Sequence, residues 1–429
     1  MLRRKIRYGF VFSLYGNRTK RNEKGNFSEN ENVIRDKIYL SVIKTLVHLH
    51  LQADMVIAVN TRFLLKDYLE GYGFFIYETF KRIVVQHPEH QFIFLFDRPY
   101  EPEFLFAPNI TPVVIGPPAR HPLLWKWWYD VAVTKALKKY KVAVFVSTDG
   151  LLSLSTKVPQ CVVVHDLSFL HYPSFIKKSH LLYFKNQLPG VLKKAKRIAT
   201  VSEFSKQDII HHYKTDTGKI DVVYSGVKEV YSPVTDEIKE AVKKKYTEGK
   251  EYFIYVGAIH PRKNLLNLLK AFSIFKKKLK SNMKLVIAGR LAWKFDEFTE
   301  KLKTYKYRAD VIMPGYLPQQ QLVELTGAAY ALVYPSFFEG FGVPPLEAMR
   351  CGVPVVATNV SAVPEICGEA ALLANPDDCG DIADKMMLLY KDETLRAALI
   401  QKGLNRAHEY SWDNTAGLLW QSIEKTMHE

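Results

Sequence analysis

Long apolar runs are missing from this sequence. The longest apolar-leaning stretch, Leu325 to Phe338, is broken by Gly327 and Pro335 and falls short of the roughly 20 residues that span a bilayer, so an integral membrane protein is not expected. Cysteine is scarce: Cys161, Cys351, Cys367 and Cys379 are scattered, with no Cys-x-x-Cys pair. That excludes a disulfide framework and a compact cysteine metal site, and it suits a reducing, cytoplasmic compartment. Glycine (22) and proline (21) stand near average usage for 429 residues, which rules out collagen-like and low-complexity chains. No Asp-x-Asp pair is present to hold a metal–diphosphate unit, and no nucleic-acid-binding motif appears.

What the sequence has in excess is positive charge. Lys and Arg number 60 against 44 Asp and Glu, a net +16. Such a balance favours polyanionic partners: nucleic acid, an anionic membrane surface or phosphorylated substrates. The first 54 residues carry eleven Lys/Arg and five Asp/Glu, and Arg18 to Glu31 is almost without apolar side chains, which predicts a disordered extension. Met55 is followed at once by Val-Ile-Ala-Val-Asn, a strand, and is the expected physiological start, with the first 54 residues an extension or tail. A signal peptide fits poorly, because no small-residue cleavage site follows the short apolar stretch after Arg7.

From Met55 onward short apolar runs alternate with helical-period stretches. Strands are predicted at 55–60, 92–96, 113–115, 142–147, 161–164, 198–201 and 220–223, with helices at 72–85, 125–140 and 204–213. The charged segment 228–250 reads as a linker with a surface helix. Then the pattern restarts: strands at 252–256, 285–288, 311–313, 331–334 and 355–357, and an apolar helical stripe from Asn264 to Lys280. Alternation of this kind predicts an α/β protein of two doubly wound, Rossmann-like domains, with ligands at the carboxyl ends of strands in the cleft between them. The expected boundaries are 1–54 extension, 55–228 first domain, 229–250 linker, 251–410 second domain, and 411–429 a helix crossing back to the first domain.

Four clusters carry chemistry. In Ser336–Met349 a strand leads through Glu339, Gly340, Phe341 and Gly342 into a helix marked by Pro344 and Pro345. Exposed backbone N–H groups and the helix N-terminus suit an anion there. Glu347, placed in the first helical turn, suits two vicinal ribose hydroxyls, and Glu339 suits hydroxyls of a bound sugar. The alternative is a tight turn with Glu347 complementing the helix dipole. In Tyr255–Asn264, Gly257, Arg262 and Lys263 follow a strand, and two fixed cations there suit a diphosphate; the alternative is a solvated pair with Asn264 as cap. In Val164–Pro173, His165 and Asp166 stand at a strand end; a lone histidine is more often structural than catalytic, and this placement raises the odds of a role in the site. Gly71, Tyr72 and Gly73, after Glu70, form a loop that lets backbone approach an acceptor or phosphate, although ordinary turns use the same residues.

Together these segments resemble retaining glycosyltransferases of family 4. Glu339 to Glu347 matches that family's E-x7-E signature. Val164–Pro173, Thr200–Ser205 and Tyr255–Asn264 are similar to its mannosyltransferase-like members, and the resemblance runs in order from about Met55 to the C-terminus. It implies a GT-B fold, an acceptor held mainly by the first domain and a nucleotide diphosphate sugar held by the second. It further implies ribose at Glu347, the transferred sugar at Glu339, diphosphate at Arg262 and Lys263, and His165 beside the donor sugar, so that His165, Glu339, Arg262 and Lys263 form the catalytic set. Ser411-Trp412 matches the family's Ser-Trp near the chain end. Many members carry Arg after the first glycine of the second domain; here Ala258 stands there, which shifts the basic role onto Arg262. The expected reaction is a metal-independent, cofactor-free hexosyl transfer with the anomeric configuration retained, from GDP-mannose by preference. The acceptor is a glycan or lipid-linked glycan in cell-surface polysaccharide synthesis. Two segments of the first domain, His121–Tyr129 and Ile176–Arg197, combine Trp, Leu and Lys/Arg and suit a peripheral contact with anionic lipid; packing of the same aromatics into the core is the alternative. A nucleic-acid-binding or non-catalytic protein on the same fold is the rival reading.

Overall fold

The strand-forming runs are rich in Val, Ile and aromatic residues and have no polar alternation, which is the pattern of strands covered on both faces. The computed structural model describes residues 54–66, 69, 71–292 and 296–428. The expected extension and the question of a start at Met55 fall almost wholly on residues 1–53, outside the described residues, as does Glu70.

From Val56 the chain builds two all-parallel sheets. The first contains β1 (Val56–Asn60), β2 (Gln91–Phe96), β3 (Ile110–Val114), β4 (Val144–Ser147), β5 (Gln160–Val164), β6 (Arg197–Thr200) and β7 (Ile220–Val222), in the order β3-β2-β1-β4-β5-β6-β7. The second contains β8 (Tyr252–Val256), β9 (Lys284–Ala288), β10 (Val311–Gly315), β11 (Ala331–Tyr334), β12 (Val355–Thr358) and β13 (Ala371–Ala374), in the order β10-β9-β8-β11-β12-β13. β5, β8 and β12 are buried along their whole lengths. In each sheet the strand order reverses once, between β1 and β4 and between β8 and β11. A doubly wound sheet binds ligands at such a reversal, where the loops leaving two neighbouring strands diverge to opposite faces and open a crevice.

Helices cover both sheets. α1 (Gly71–Gln86) presents Phe75, Ile76, Phe80, Ile83 and Val84 to the core. α2 (Glu203–Tyr213) opens on Ser202, whose hydroxyl accepts from the Ser205 N–H. Within the charged 228–250 segment lies α3 (Asp236–Thr247), capped by Thr235 and packed against the helix Gln319–Gly327. α4 (Leu265–Leu279) buries the apolar stripe seen in the sequence and carries Lys276, Lys277 and Lys278 in its last turn, where cations complement the dipole. α5 (Val343–Arg350) follows β11. α6 (Trp412–His428) returns to the first sheet, packing on α1 and behind β4, β5 and β6. Trp420 stacks on His87 with ring centroids 3.6 Å apart, and Arg82 pairs with Asp413 at 2.6 Å.

One helix departs from its expected form. The 125–140 stretch is α-helical over Pro122–Trp127, widens to a π-helix over Trp128–Val133 and resumes over Thr134–Lys139. A π-turn rotates the following face relative to a 3.6-residue repeat. Here it lets consecutive Trp128 and Tyr129 both enter the core, where the Tyr129 hydroxyl meets Asp149 at 2.6 Å. Trp125 and Trp128 donate to the carbonyls of Ala119 and Ile115. Leu123 and Trp127 remain on the surface, so the aromatic segment divides between core and solvent.

Candidate functional site

The chain leaves β11 through Pro335 and turns at the loop carrying Glu339. Asn264, from the loop after β8, fixes this turn by donating its side-chain amide to the carbonyls of Pro335 and Pro376 at 2.9 and 2.7 Å. Asn264 thus ties loops together, and its side chain does not cap α4. Glu339 is almost fully buried and accepts from Lys263 Nζ at 2.6 Å, Arg262 at 3.1 Å and the Tyr334 hydroxyl at 2.9 Å. Burial alone would raise its pKa; the charges of Lys263 and Arg262 outweigh burial and hold it at about 2. Arg262 also donates to the Phe338 carbonyl. With Arg262 and Lys263 only 23% and 14% exposed, the pair is no solvated surface feature. Two cations face one carboxylate, which leaves the cluster one positive charge in excess.

Gly342 is the N-cap of α5, with prolines in its first turn. Glu347 is the fifth residue of this helix, so it lies in the second turn and not in the first, where the sequence placed it; the reading that it complements the helix dipole loses its basis, because that effect is confined to the first turn. Its carboxyl is instead set near Lys228 and receives a hydrogen bond from Tyr231, and burial, partly offset by these two, pushes its pKa up to about 7. Lys228 and Tyr231 belong to the segment read as linker. Both lie in the long segment between β7 and α3, six and nine residues past the end of the strand, outside the four clusters read from the sequence.

His165 follows β5. Its Nε2 lies 3.0 Å from the Thr148 carbonyl, which can only accept, so Nε2 carries the hydrogen and Nδ1 is the free acceptor of the neutral ring. Burial lowers its pKa, which favours that neutral form. Tyr72 and Phe75 meet the ring edge-on at 4.8 and 5.0 Å. Gly340 of the second half rests on His165: a Cβ on Gly340 would collide with the His165 carbonyl and with Cβ of Asp166. The Gly340 carbonyl accepts from Ser202 Oγ at 2.7 Å. Glu365 completes the join, accepting at 2.8 Å from the N–H groups of Glu203 and Phe204 at the start of α2.

These loops enclose one cavity of about 550 Å³, lined by Gly71, His165, Gly257, Arg262, Lys263, Glu339, Gly340, Phe341, Gly342 and Glu347, and also by Lys228, Tyr231, Arg290 and Trp412. It lies at the carboxyl ends of β8 and β11, the reversal of the second sheet. Tyr72 and Gly73 are not among its lining residues. The Gly71–Tyr72–Gly73 segment is the first turn of α1 and not the expected loop. A Cβ on Gly73 would stand 2.6 Å from the Phe63 carbonyl, so this glycine serves close packing of the helix start.

Two parallel, doubly wound sheets whose strand-end loops converge on one cavity define the GT-B fold. The chain belongs to glycosyltransferase family 4: residues 86–229 match Glycosyltransferase Family 4 and residues 236–406 match Glycosyl transferases group 1. It is 33% identical over 251 residues to O-antigen chain mannosyltransferase B of Escherichia coli, covering 58% of this chain and 66% of that one, slightly under two thirds of the relative's length. It is 30% identical over 274 residues to O-antigen chain mannosyltransferase RfbU of Salmonella typhimurium, covering 63% and 72%. The crystal structure of Anabaena HepE in complex with UDP-glucose superposes with a TM-score of 0.66 at 15% identity, over 86% of this chain and 98% of that one. No helix among the described residues is long and apolar enough to cross a membrane.

Proposed function

We propose that the chain transfers a hexose, mannose by preference, from a nucleotide diphosphate sugar to a glycan or lipid-linked acceptor in cell-surface polysaccharide synthesis, with retention of configuration. The observation that carries this reading is the Glu339–Lys263–Arg262 cluster sharing one cavity with Glu347. The excess positive charge suits a diphosphate. When the glycosidic bond to the donor breaks, negative charge grows on the leaving phosphate, and Lys263 and Arg262, already fixed by Glu339, meet it without reorganising. Glu339, ionised at any physiological pH, accepts hydroxyls of the sugar. Glu347, once ionised, accepts the two ribose hydroxyls. Neutral His165 offers Nδ1 to a sugar hydroxyl from the first half. Glu339 holds sugar hydroxyls and does not act as nucleophile, so the acceptor attacks on the same face from which the phosphate leaves, and that phosphate takes the acceptor's proton.

Mannose is supported by the names of the two O-antigen relatives, and a nucleotide sugar by the UDP-glucose bound to HepE; GDP as its nucleotide rests on the family resemblance alone. A peripheral lipid contact is supported by exposed Leu123, Trp127 and Leu182 beside exposed Lys126, Lys177, Lys178 and Lys185 on two mutually packed helices of the first half. Thermal shift with a panel of GDP-, UDP- and dTDP-sugars tests the donor, since a ligand at a hundred times its Kd stabilises by about 2.7 kcal/mol. NMR of the product anomer tests retention. GDP-mannose is expected to give the largest shift; no shift with any nucleotide sugar overturns the reading.

A further inference from the structure

Away from the donor cavity, three side chains converge that the reaction does not use. Asp208, in α2, is 9% exposed. Both its carboxylate oxygens lie 2.9 Å from His171 Nε2, and Oδ1 lies 3.3 Å from His212 Nε2. One ligand atom from each of the three lies within 4.8 Å of the others. We propose that His171, Asp208 and His212 bind a divalent transition-metal ion of the zinc class.

Three arguments support it. The first is charge. Other buried carboxylates here are held by permanent cations, Asp149 by Arg62 and Asp97 by Arg98. Among the described residues the ion pairs of Asp208 are both with imidazoles, which carry no permanent charge, and a largely buried anion is costly without a compensating cation. The second is ligand chemistry. Two imidazole nitrogens and one carboxylate suit zinc, cobalt or nickel, whereas magnesium and calcium demand oxygen. The third is geometry. Asp208 and His212 are four residues apart, on one helix face, and His171 reaches them from the short helix Ser168–His171. Zinc at about 2.0–2.1 Å from each ligand requires His–Asp separations only slightly wider than the 2.9 and 3.3 Å observed, with the two imidazoles drawn within the same 4.8 Å. His171 and His212 are solvent-exposed, so water can complete the coordination.

The site touches the donor loop through one ring. His171 stacks on Phe338 with centroids 4.7 Å apart, and Phe338 directly precedes Glu339. An ion that fixes His171 therefore also fixes a surface on which the Glu339 loop rests.

Isothermal titration of the full chain with Zn²⁺, and with Co²⁺ read by its visible ligand-field bands, tests the proposal. One ion per chain at micromolar Kd or tighter is expected, with cobalt bands of tetrahedral or five-coordinate intensity. His212→Ala, on the surface and outside the donor cavity, and the near-isosteric Asp208→Asn should each weaken binding by at least about tenfold, the scale seen even for outer-shell changes. Cys379→Ser, which removes the one incompletely buried thiol, should leave binding unchanged. Millimolar affinity in the wild type, displacement by equimolar Mg²⁺, or full binding retained in both His212→Ala and Asp208→Asn overturns the assignment.

Discussion

Replacing Glu347 with glutamine keeps the side chain's shape and removes its charge, and the structure gives that charge two opposite effects. Burial raises the carboxyl from its ordinary 4.5 to about 7. An acid whose folded-state pKa lies above its unfolded value keeps full stability below pH 4.5. That stability falls as pH rises, because the unfolded chain gives up its proton first, and the loss is complete above about pH 7. At about 1.4 kcal/mol per pH unit the penalty reaches about 3 kcal/mol, an upper limit because the group is half-buried. Glu347→Gln should therefore be more stable than the wild type at pH 8, by up to that amount, and equal to it at pH 4. Donor binding runs the other way. The ionised carboxylate makes two charge-assisted bonds to ribose, and their loss, worth about 2 kcal/mol or more, should weaken the donor at least about thirtyfold. In the wild type only about a tenth of the carboxyl is ionised one unit below its pKa, so donor Kd at pH 6 should be about tenfold weaker than at pH 8. Differential scanning fluorimetry and titration calorimetry across pH 4–8 measure both. A glutamine variant that binds donor as tightly as the wild type, or wild-type affinity flat from pH 6 to 8, refutes the ribose role; equal melting temperatures at pH 8 refute the cost of burial.

Lys263→Ala should lower turnover by about a hundredfold or more, since a preorganised charge opposite the leaving group contributes about 2.7–4 kcal/mol, and the pH–rate profile should shift as Glu339 loses its main partner; near-normal turnover would contradict the diphosphate assignment. Glu365→Ala should cost about 0.5–2 kcal/mol, the worth of a helix cap, and show it in thermal melts together with a higher donor KM, because that cap joins the two halves. Sedimentation with anionic vesicles at low salt should pellet the protein. Neutralising Lys177, Lys178, Lys193 and Lys194, each worth about 1 kcal/mol near the surface, should release it; indifference to lipid charge would end the membrane reading.

The strands were legible because fully covered parallel strands leave unbroken apolar runs, as in Tyr252–Val256. Ala371–Ala374 was missed because its alanines and leucines resemble a helix as much as a strand. Periodicity read Trp125–Tyr140 as one helix, since a π-turn breaks the 3.6-residue count without leaving any proline or glycine mark. The loops after β8 and β11 could be found from their glycines, prolines and charges at strand ends. Lys228 and Tyr231 could not, because a contact more than a hundred residues apart in sequence, Arg350 Nε donating to the Tyr231 carbonyl at 3.1 Å, ties that segment to α5. For the same reason His171 gave no signal: its partners stand 37 residues or more further along the chain.

The position of α6 has a consequence for synthesis. The face of α1 that it covers belongs to the earlier-made sheet, yet α6 is made 190 residues after β7 ends at Val222. At roughly 5–20 residues per second, the first sheet emerges from the ribosome about 10–40 s before the helix that finishes its packing. During that interval the nascent chain carries an uncovered apolar surface around Phe75 and His87, which makes it a substrate for chaperones. A message cut short before Trp412 would yield both strand layers and an intact donor loop, but a first half unable to close its own core.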